Sequence, residues 1–364
     1  MLVKIRRLLK NESGLKAKEI ASRLGFDRQD VSRELHANKT VFLQNEAYGW
    51  ALAPVVNLRV ELGPGWIDAT QFETRLLVSG CPTALNCVSV SFVFAEASQL
   101  LLDALARLLA LCNQFCMAGK GVVLDFSGCK KTLGYLDRVG FVELLDRRVS
   151  MLPRRPSGAR AIVYEGNNEN VVELKTIEVA APNQTIPSQL RSSFVTCAGD
   201  AYSEAAFTVI SELFGNVQEH SGSITAGFAG LQHYKKGNKI QTVISDSGLG
   251  IIGTLEPVLN LLYPQIAEEL AAETGHKGVA LLSKVFSVGG LSKVDEEGRG
   301  LGLIRSGQLA QKYNATISIR QRDFELSVHH RQGKVAFSNQ LNLVRLEGTH
   351  ICFTFDLTKS PKSG

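Results

Sequence analysis

The sequence predicts a mixed α/β chain of the α+β kind, built from three units, and three observations carry that reading. Its 364 residues, 45% hydrophobic and 21% charged, suffice for two or three ordinary cores and exclude a disordered or fibrous chain. The apolar period changes along the chain, from helical spacing in residues 1–40, to strand alternating with helix from Cys87, to a helix, strand, helix, strand order after residue 185. The net charge of +5 is confined to one end, because residues 1–39 hold ten Lys and Arg against five acids while the rest balances. Local basicity of that kind suits a small domain facing a polyanion.

In residues 1–52, Leu15–Leu24 places Leu15, Ile20 and Leu24 toward a core, and Gly25 ends that helix. Asp27 then caps a second helix whose Val31 and Leu35 are apolar. Val41–Leu43 and Tyr48–Leu52 read as two short strands around a polar turn. The segment resembles the winged helix-turn-helix family, which implies an outward recognition helix carrying Arg28, Gln29, Ser32, Arg33 and His36 as DNA-contact candidates. Asp30 and Glu34 offset its cations, so DNA binding stands beside protein contact or packing within the chain as the use of this unit.

Residues 53–80, with Pro54 and Gly63-Pro64-Gly65, read as a linker. From Cys87 the pattern becomes strand, a long helix over Ala95–Met117, a buried strand at Val122–Phe126, a helix over Leu136–Arg148, and short strands near Val149–Leu152 and Ala161–Tyr164. This βαβαβ order over residues 81–175, with Gly121–Gly128 ahead of a helix bearing Gly140-Phe141, is similar to the STAS fold of anti-sigma antagonists. Gly134-Tyr135-Leu136 stands where that family has its phosphoacceptor serine, so the resemblance implies the shape without the phosphoswitch. The apolar stretch Leu100–Met117 contains Asp103, Arg107, Asn113 and Gln114, which predicts a buried helix rather than a membrane span. With no secretory signal in the cation-rich first ten residues, a cytoplasmic protein away from membranes is expected. Seven cysteines without a C-x-x-C pair predict neither a disulfide framework nor a zinc site.

Four motifs follow in fixed order. On a helix over Ala201–His220, Glu212, Asn216 and His220 recur every fourth residue and share one face, with Phe207, Ile210, Leu213 and Phe214 expected on the apolar one. A carboxylate one turn from an amide suits poising a water and holding hydrated Mg²⁺ beside phosphates. Asp246-Ser247-Gly248-Leu249-Gly250 follows the strand Ile240–Ile244, where an acid can accept an exocyclic amine and the glycines permit a tight turn. Gly298-Arg299-Gly300-Leu301-Gly302 opens a helix, so that backbone N–H groups and one cation can cradle polyphosphate. Gly348-Thr349 starts the strand His350–Leu357 and offers a hydroxyl to a base edge.

Each motif alone is common, but the ordered set resembles the GHKL ATP-binding family with its Bergerat-fold α/β sandwich, over residues 185–358. The resemblance implies ATP and Mg²⁺ as cofactors, Glu212 as general base, Asn216 as Mg²⁺ ligand and Asp246 as adenine reader. It further implies Gly248 and Gly250 as the base-side turn, Gly298, Arg299, Gly300 and Gly302 as the phosphate loop, Thr349 as a second adenine contact, and residues 251–297 as a lid. His220 is similar to a residue of the anti-sigma-factor serine kinase branch, and it also suits a plain helix cap. Only seven residues follow Leu357, so a lysine delivered by a C-terminal transducer domain is not expected. No His stands between His36 and His220 to serve as a histidine-kinase phosphoacceptor. The expected protein is an ATP-binding regulator that hydrolyses slowly and switches contacts with its other domains, a protein partner or a second copy. The alternatives are a Ser/Thr protein kinase and an ATP-sensing, DNA-binding transcription regulator.

Overall fold

The computed structural model describes residues 1–178, 185–220, 226–287, 291, 307–308, 310, 312–313, 315–331 and 334–358, the side chains of 212, 213, 216, 218–220, 330, 331 and 334 excepted. It is a mixed α/β chain containing both parallel and antiparallel sheets.

Three helices, α1 (Leu2–Asn11), α2 (Ala17–Leu24) and α3 (Arg28–Ala37), precede a hairpin of β1 (Phe42–Gln44) and β2 (Trp50–Leu52). Gly25, at φ 67°, ends α2 in the left-handed conformation that favours glycine. The Asp27 carboxylate accepts the Gln29 and Asp30 amides and so starts α3. Ile5, Leu9, Ile20, Val31, Leu35, Phe42 and Trp50 make a core of their own.

Residues 53–80 are not a linker. They form β3 (Val56–Leu62), β4 (Gly65–Ile67) and α4 (Ala69–Ser79). The buried Val60 and Leu62 supply the strand's inward face, and Asp68 with Gln71 closes a reciprocal capping box on α4. Next come β5 (Cys87–Phe94), β6 (Ser98–Leu100), α5 (Leu102–Met117), β7 (Gly121–Asp125), α6 (Lys130–Arg138), α7 (Phe141–Leu144), β8 (Ser150–Leu152) and α8 (Ala159–Val163). Strands β3, β5, β7 and β8 pair in that order as a parallel sheet, and β4 pairs with β6.

Three further expectations change here. The helix expected from Ala95 starts only at Leu102, because Ser98–Leu100 is drawn into strand β6 by pairing with β4. The single helix expected over Leu136–Arg148 is broken at Gly140 (φ 80°), where a side chain would stand 2.8 Å from the Leu174 carbonyl oxygen. Ala161–Tyr164 is the end of helix α8 rather than a strand. The run would have had to pair beyond β8, which already ends the parallel sheet, and Ile162 and Val163 instead stand exposed.

Strand β9 (Val171–Ile177), which straddles the expected end of the central unit, belongs to the next sheet. After it come α9 (Thr185–Ala198), α10 (Ser203–His220), β10 (Gly227–Tyr234), β11 (Lys239–Ser245), α11 (Gly250–Leu255), α12 (Leu259–Leu262), α13 (Pro264–Ala272), α14 (Lys277–Ser287), β12 (Ala315–Arg322), β13 (Phe324–Arg331), β14 (Lys334–Gln340) and β15 (Leu346–Asp356). The seven strands pair antiparallel in the order β14-β13-β12-β15-β11-β10-β9.

Alternation along these strands separates two faces. Ile240, Ile244, Ile317, Ile319, Ile351, Phe353 and Phe355 join the core under α9 and α10, whereas Val243 and Cys352 join the core of the parallel-sheet unit. Helix α5 packs on β7 and also on β10, β11 and β15. That double burial explains a helix apolar on nearly every side. Its Arg107 lies in a buried ionic cluster between the two sheets: it pairs with Glu73 of α4 at 3.2 Å and Glu325 of β13 at 2.8 Å, while Arg320 of β12 donates to Glu73 at 2.7 Å. Burial opposes the charges, but the facing carboxylates push the Arg107 pKa up, and Arg107 holds the Glu325 carboxyl below its ordinary value. His350 lies on this same face, and burial with the neighbouring guanidiniums brings it down to about 3, so it stays neutral.

Candidate functional site

Asp246 directly follows β11, and antiparallel pairing of Ser245 with His350 sets it opposite Thr349. Its amide donates to the Thr349 carbonyl at 2.9 Å. Two residues beyond Ile244 and two before Ile351, both side chains fall on the helix-covered face. The approach depends on Gly348, at φ 93°, where a Cβ would stand 2.0 Å from the Asp246 carbonyl oxygen. The Gly248 amide donates to Asp246 Oδ1 at 2.7 Å, and Gly250, at φ 73°, turns the chain into α11. Four of the residues singled out in the sequence, Asp246, Gly248, Gly250 and Thr349, are therefore brought together from segments about a hundred residues apart.

Asp246 is only 6% exposed. Burial pushes its pKa up to about 6, against the opposing pull of the Gly248 and Thr349 amides and the Thr349 hydroxyl. Among the described residues no cation contributes to that balance. A buried carboxylate served by dipoles alone favours a further N–H donor.

Two glutamines that sequence reasoning missed complete the arrangement. Gln321, on the helix-covered face of β12 and 1% exposed, donates through Nε2 to Thr349 Oγ1 at 2.9 Å and accepts the Ile252 amide on Oε1 at 3.1 Å. Because the Thr349 hydroxyl accepts from Gln321, its own proton is directed to Asp246 or to a ligand. Gln114 of α5 reaches the same two strand ends from the other face. Its Nε2 donates to Ser247 Oγ at 3.2 Å and to the Glu347 carbonyl at 2.9 Å, and its Oε1 accepts the Glu347 amide at 2.9 Å. No short-range spacing marks either glutamine; only the strand parity of Gln321 with Ile317 and Ile319 was legible.

Glu212, Asn216 and His220 lie in α10, their side chains outside the described residues. The helix borders the site: a Cβ at Gly227 would meet Val217 Cγ1 at 2.7 Å and the Asp246 Cβ at 3.7 Å. Among its described side chains the buried stripe is Ala205, Ala206, Val209, Ile210, Phe214 and Val217. Phe207 departs from the expected apolar face and is 53% exposed, at the outer border toward α9, where the Arg191 guanidinium stands 5.5 Å from its ring centre. Gly298, Arg299, Gly300 and Gly302 fall outside the described residues. Of residues 251–297, those up to 287 form α11–α14 and the turns between them, and the Arg322 guanidinium pairs with Glu256 at 2.8 Å just beyond α11.

On α3, Arg28, Gln29, Arg33 and His36 are exposed and Ser32 is partly buried. Arg33 pairs with Asp30 at 3.3 Å, and the His36 ring packs edge-on against Trp50, so two of the five candidates have partners within the unit. Among the described residues no group of three or more His, Cys, Asp or Glu is placed to hold a metal ion, and no helix is long and apolar enough to cross a membrane. Compared with protein-family models, curated proteins and solved structures, the chain matches none.

Proposed function

We propose that the seven-stranded sheet and its helices form a GHKL-type ATP-binding domain, and that the chain is a regulator whose contacts switch with the nucleotide. One observation carries the reading: Asp246 and Thr349, distant in sequence, meet as a buried carboxylate and an oriented hydroxyl on the helix-covered face, behind two glycines in left-handed conformation. Adenine matches that pair, since its exocyclic amine donates where Asp246 accepts and its ring nitrogen accepts where Thr349 donates. Helix α10 beside Asp246 supports Glu212 as general base and Asn216 as the Mg²⁺ contact. Mg²⁺ would be held by phosphate oxygens and an amide rather than by a protein cage, in keeping with its preference for retaining water.

The other units support a regulatory reading. The three helices and hairpin are in keeping with a winged helix, and the parallel sheet with a STAS-like unit. Gln114 links that sheet's helix α5 to Ser247 and Glu347, so a change at the nucleotide site has a direct path to the central unit. Calorimetric titration of the full chain with Mg-ATP tests the proposal. Saturable binding lost in Asp246→Asn supports it, and equal affinity in the two proteins refutes the adenine assignment. Radiolabelled ATP separates the catalytic outcomes, free phosphate marking hydrolysis and labelled protein marking a Ser/Thr kinase. A salt-sensitive shift of DNA would mark the transcription regulator.

A further inference from the structure

The carboxyl ends of the parallel strands β5 and β7 open into a cavity of about 650 Å³, walled by the β4–β6 ribbon and the start of α6 and roofed by Gln232 and Tyr234 of β10. That volume lies in the range of small-molecule sites, and the position is where parallel sheets bind their ligands. It is remote from Asp246. Tyr234 pairs with Lys239, seven residues before Asp246 on β11, or roughly 23 Å along an extended strand at about 3.3 Å per residue.

The lining divides by chemistry. One wall is aromatic: Trp66, Tyr135 and Tyr234 border the space, with the Trp66 ring edge-on to Tyr234 at 6.0 Å and 57% of Trp66 exposed. Several polar side chains of the lining are already engaged. The Ser98 hydroxyl donates to the Leu62 and Gly63 carbonyls, the Cys129 thiol and the Thr132 hydroxyl both turn to the Ser98 carbonyl, and Gln232 accepts from Tyr135 and donates to Asn170. Since Cys129 and Thr132 turn to the Ser98 carbonyl, no side chain caps α6, and Lys130 and Lys131 of its uncapped first turn line the cavity. Against them stands one acid of the lining, Glu96.

We propose that this cavity is a second ligand site, for a small molecule that combines a planar aromatic body with a phosphate group. The ring stacks on Trp66, which has its other contact in Tyr234, and the phosphate meets the two ammonium groups and the uncapped turn. A three-oxygen anion uses several amides and two cations at once, which a lone carboxylate does not. Because β10 roofs the cavity and also pairs with β11, an occupant touches both sheets.

Phenyl phosphate is the probe, since it lacks a purine and so stays clear of the adenine reading at Asp246. Full-length protein is titrated by calorimetry to ~10 mM, well beyond the millimolar affinity expected of so small a ligand, and Trp66 fluorescence is obtained by subtracting a parallel titration of Trp66→Phe. Saturable binding with a Trp66 signal is expected. It should weaken about tenfold or more in Lys130→Glu/Lys131→Glu and in Trp66→Ala, recover in Trp66→Phe, and be unchanged in Asp246→Asn. Inorganic phosphate, lacking the ring, should bind more weakly. The proposal is overturned if phenyl phosphate gives no saturable heat, if the charge-reversed protein binds it equally, or if Asp246→Asn abolishes its binding.

Discussion

Replacing Asp246 by Asn should make the protein more stable and less able to bind nucleotide, two effects of opposite sign from one atom pair. Burial raises the carboxyl pKa from 3.8 to about 6, and each unit corresponds to about 1.4 kcal/mol, so ionised Asp246 costs the empty fold about 3 kcal/mol at neutral pH. The cost is present above pH 6, shrinks as pH falls from 6 toward 3.8 because the folded state then takes up the proton first, and is gone below. The amide avoids it at every pH. Urea denaturation at pH 7.5 should therefore show Asp246→Asn stabilised by about 1–3 kcal/mol, the lower figure allowing for an imperfect fit of the amide to Gly248 and Thr349. The gain should vanish near pH 4.

Binding runs the other way. An exocyclic amine donates to the ionised carboxylate, so affinity for adenine nucleotide should fall as pH drops through 6, by about tenfold per unit below it. Titrating wild type and Asp246→Asn in parallel removes the nucleotide's own protonation from the comparison. A variant no more stable than wild type at pH 7.5 would show that the carboxylate is not held charged in an unfavourable setting. Affinity with the same pH profile in both proteins would refute its role as the amine acceptor.

Gly348→Ala places a Cβ 2.0 Å from the Asp246 carbonyl oxygen at φ 93°, and a loss of ~2 kcal/mol or more in thermal or urea unfolding, together with lost nucleotide binding, is expected. Gln321→Leu leaves the buried Ile252 amide unpaired and frees the Thr349 hydroxyl to rotate; it should cost about 1–3 kcal/mol and narrow the preference for ATP over GTP in calorimetry. Gln114→Ala removes three hydrogen bonds between α5 and the two strand ends, so ATP affinity should fall while the melting temperature moves by only a few degrees. Glu73→Ala leaves Arg320 without its carboxylate and Arg107 with Glu325 alone, a loss of about 3–5 kcal/mol measurable in urea.

What the sequence showed of the site was its backbone chemistry. Gly250 and Gly348 mark turns that other residues resist, Gly248 lends its amide to Asp246, and Asp246 and Thr349 stand beside them. The partners that orient those residues were illegible, because Gln321 and Gln114 act at sequence separations of 28 and 133 residues from Thr349 and Ser247, where no spacing rule operates. The ionic cluster joining Glu73 to Arg320 across 247 residues was hidden for the same reason. Residues 53–80 failed differently. Pro54 and Gly63-Pro64-Gly65 punctuate a strand from outside, and their signal outweighed the alternation of Val56, Leu58, Val60 and Leu62 and the Asp68–Gln71 box, both of which were there to be read.

Three consecutive residues of β12 explain how the two sheets and the helical segment after the site share one lever. Arg320 points into the central unit and meets Glu73; Gln321, on the opposite face by alternation, meets Thr349 and Ile252. Arg322 should return to the side of Arg320. It does not, because its φ of 46° and the register shift between Arg320 and Arg322 swing the guanidinium to Glu256, just beyond α11. A non-glycine residue in that conformation costs about 1–2 kcal/mol, and the ion pair to Glu256, partly exposed, returns at most about 1. The strained residue is therefore held by its surroundings, including the Arg320 guanidinium that takes the Arg322 carbonyl at 2.7 Å. One route from the end of α11 to the central unit therefore runs through Glu256 and Arg322 to Arg320, beside the direct Ile252–Gln321 bond and the packing of α11 on β15, and it ends on a carboxylate that is 1% exposed.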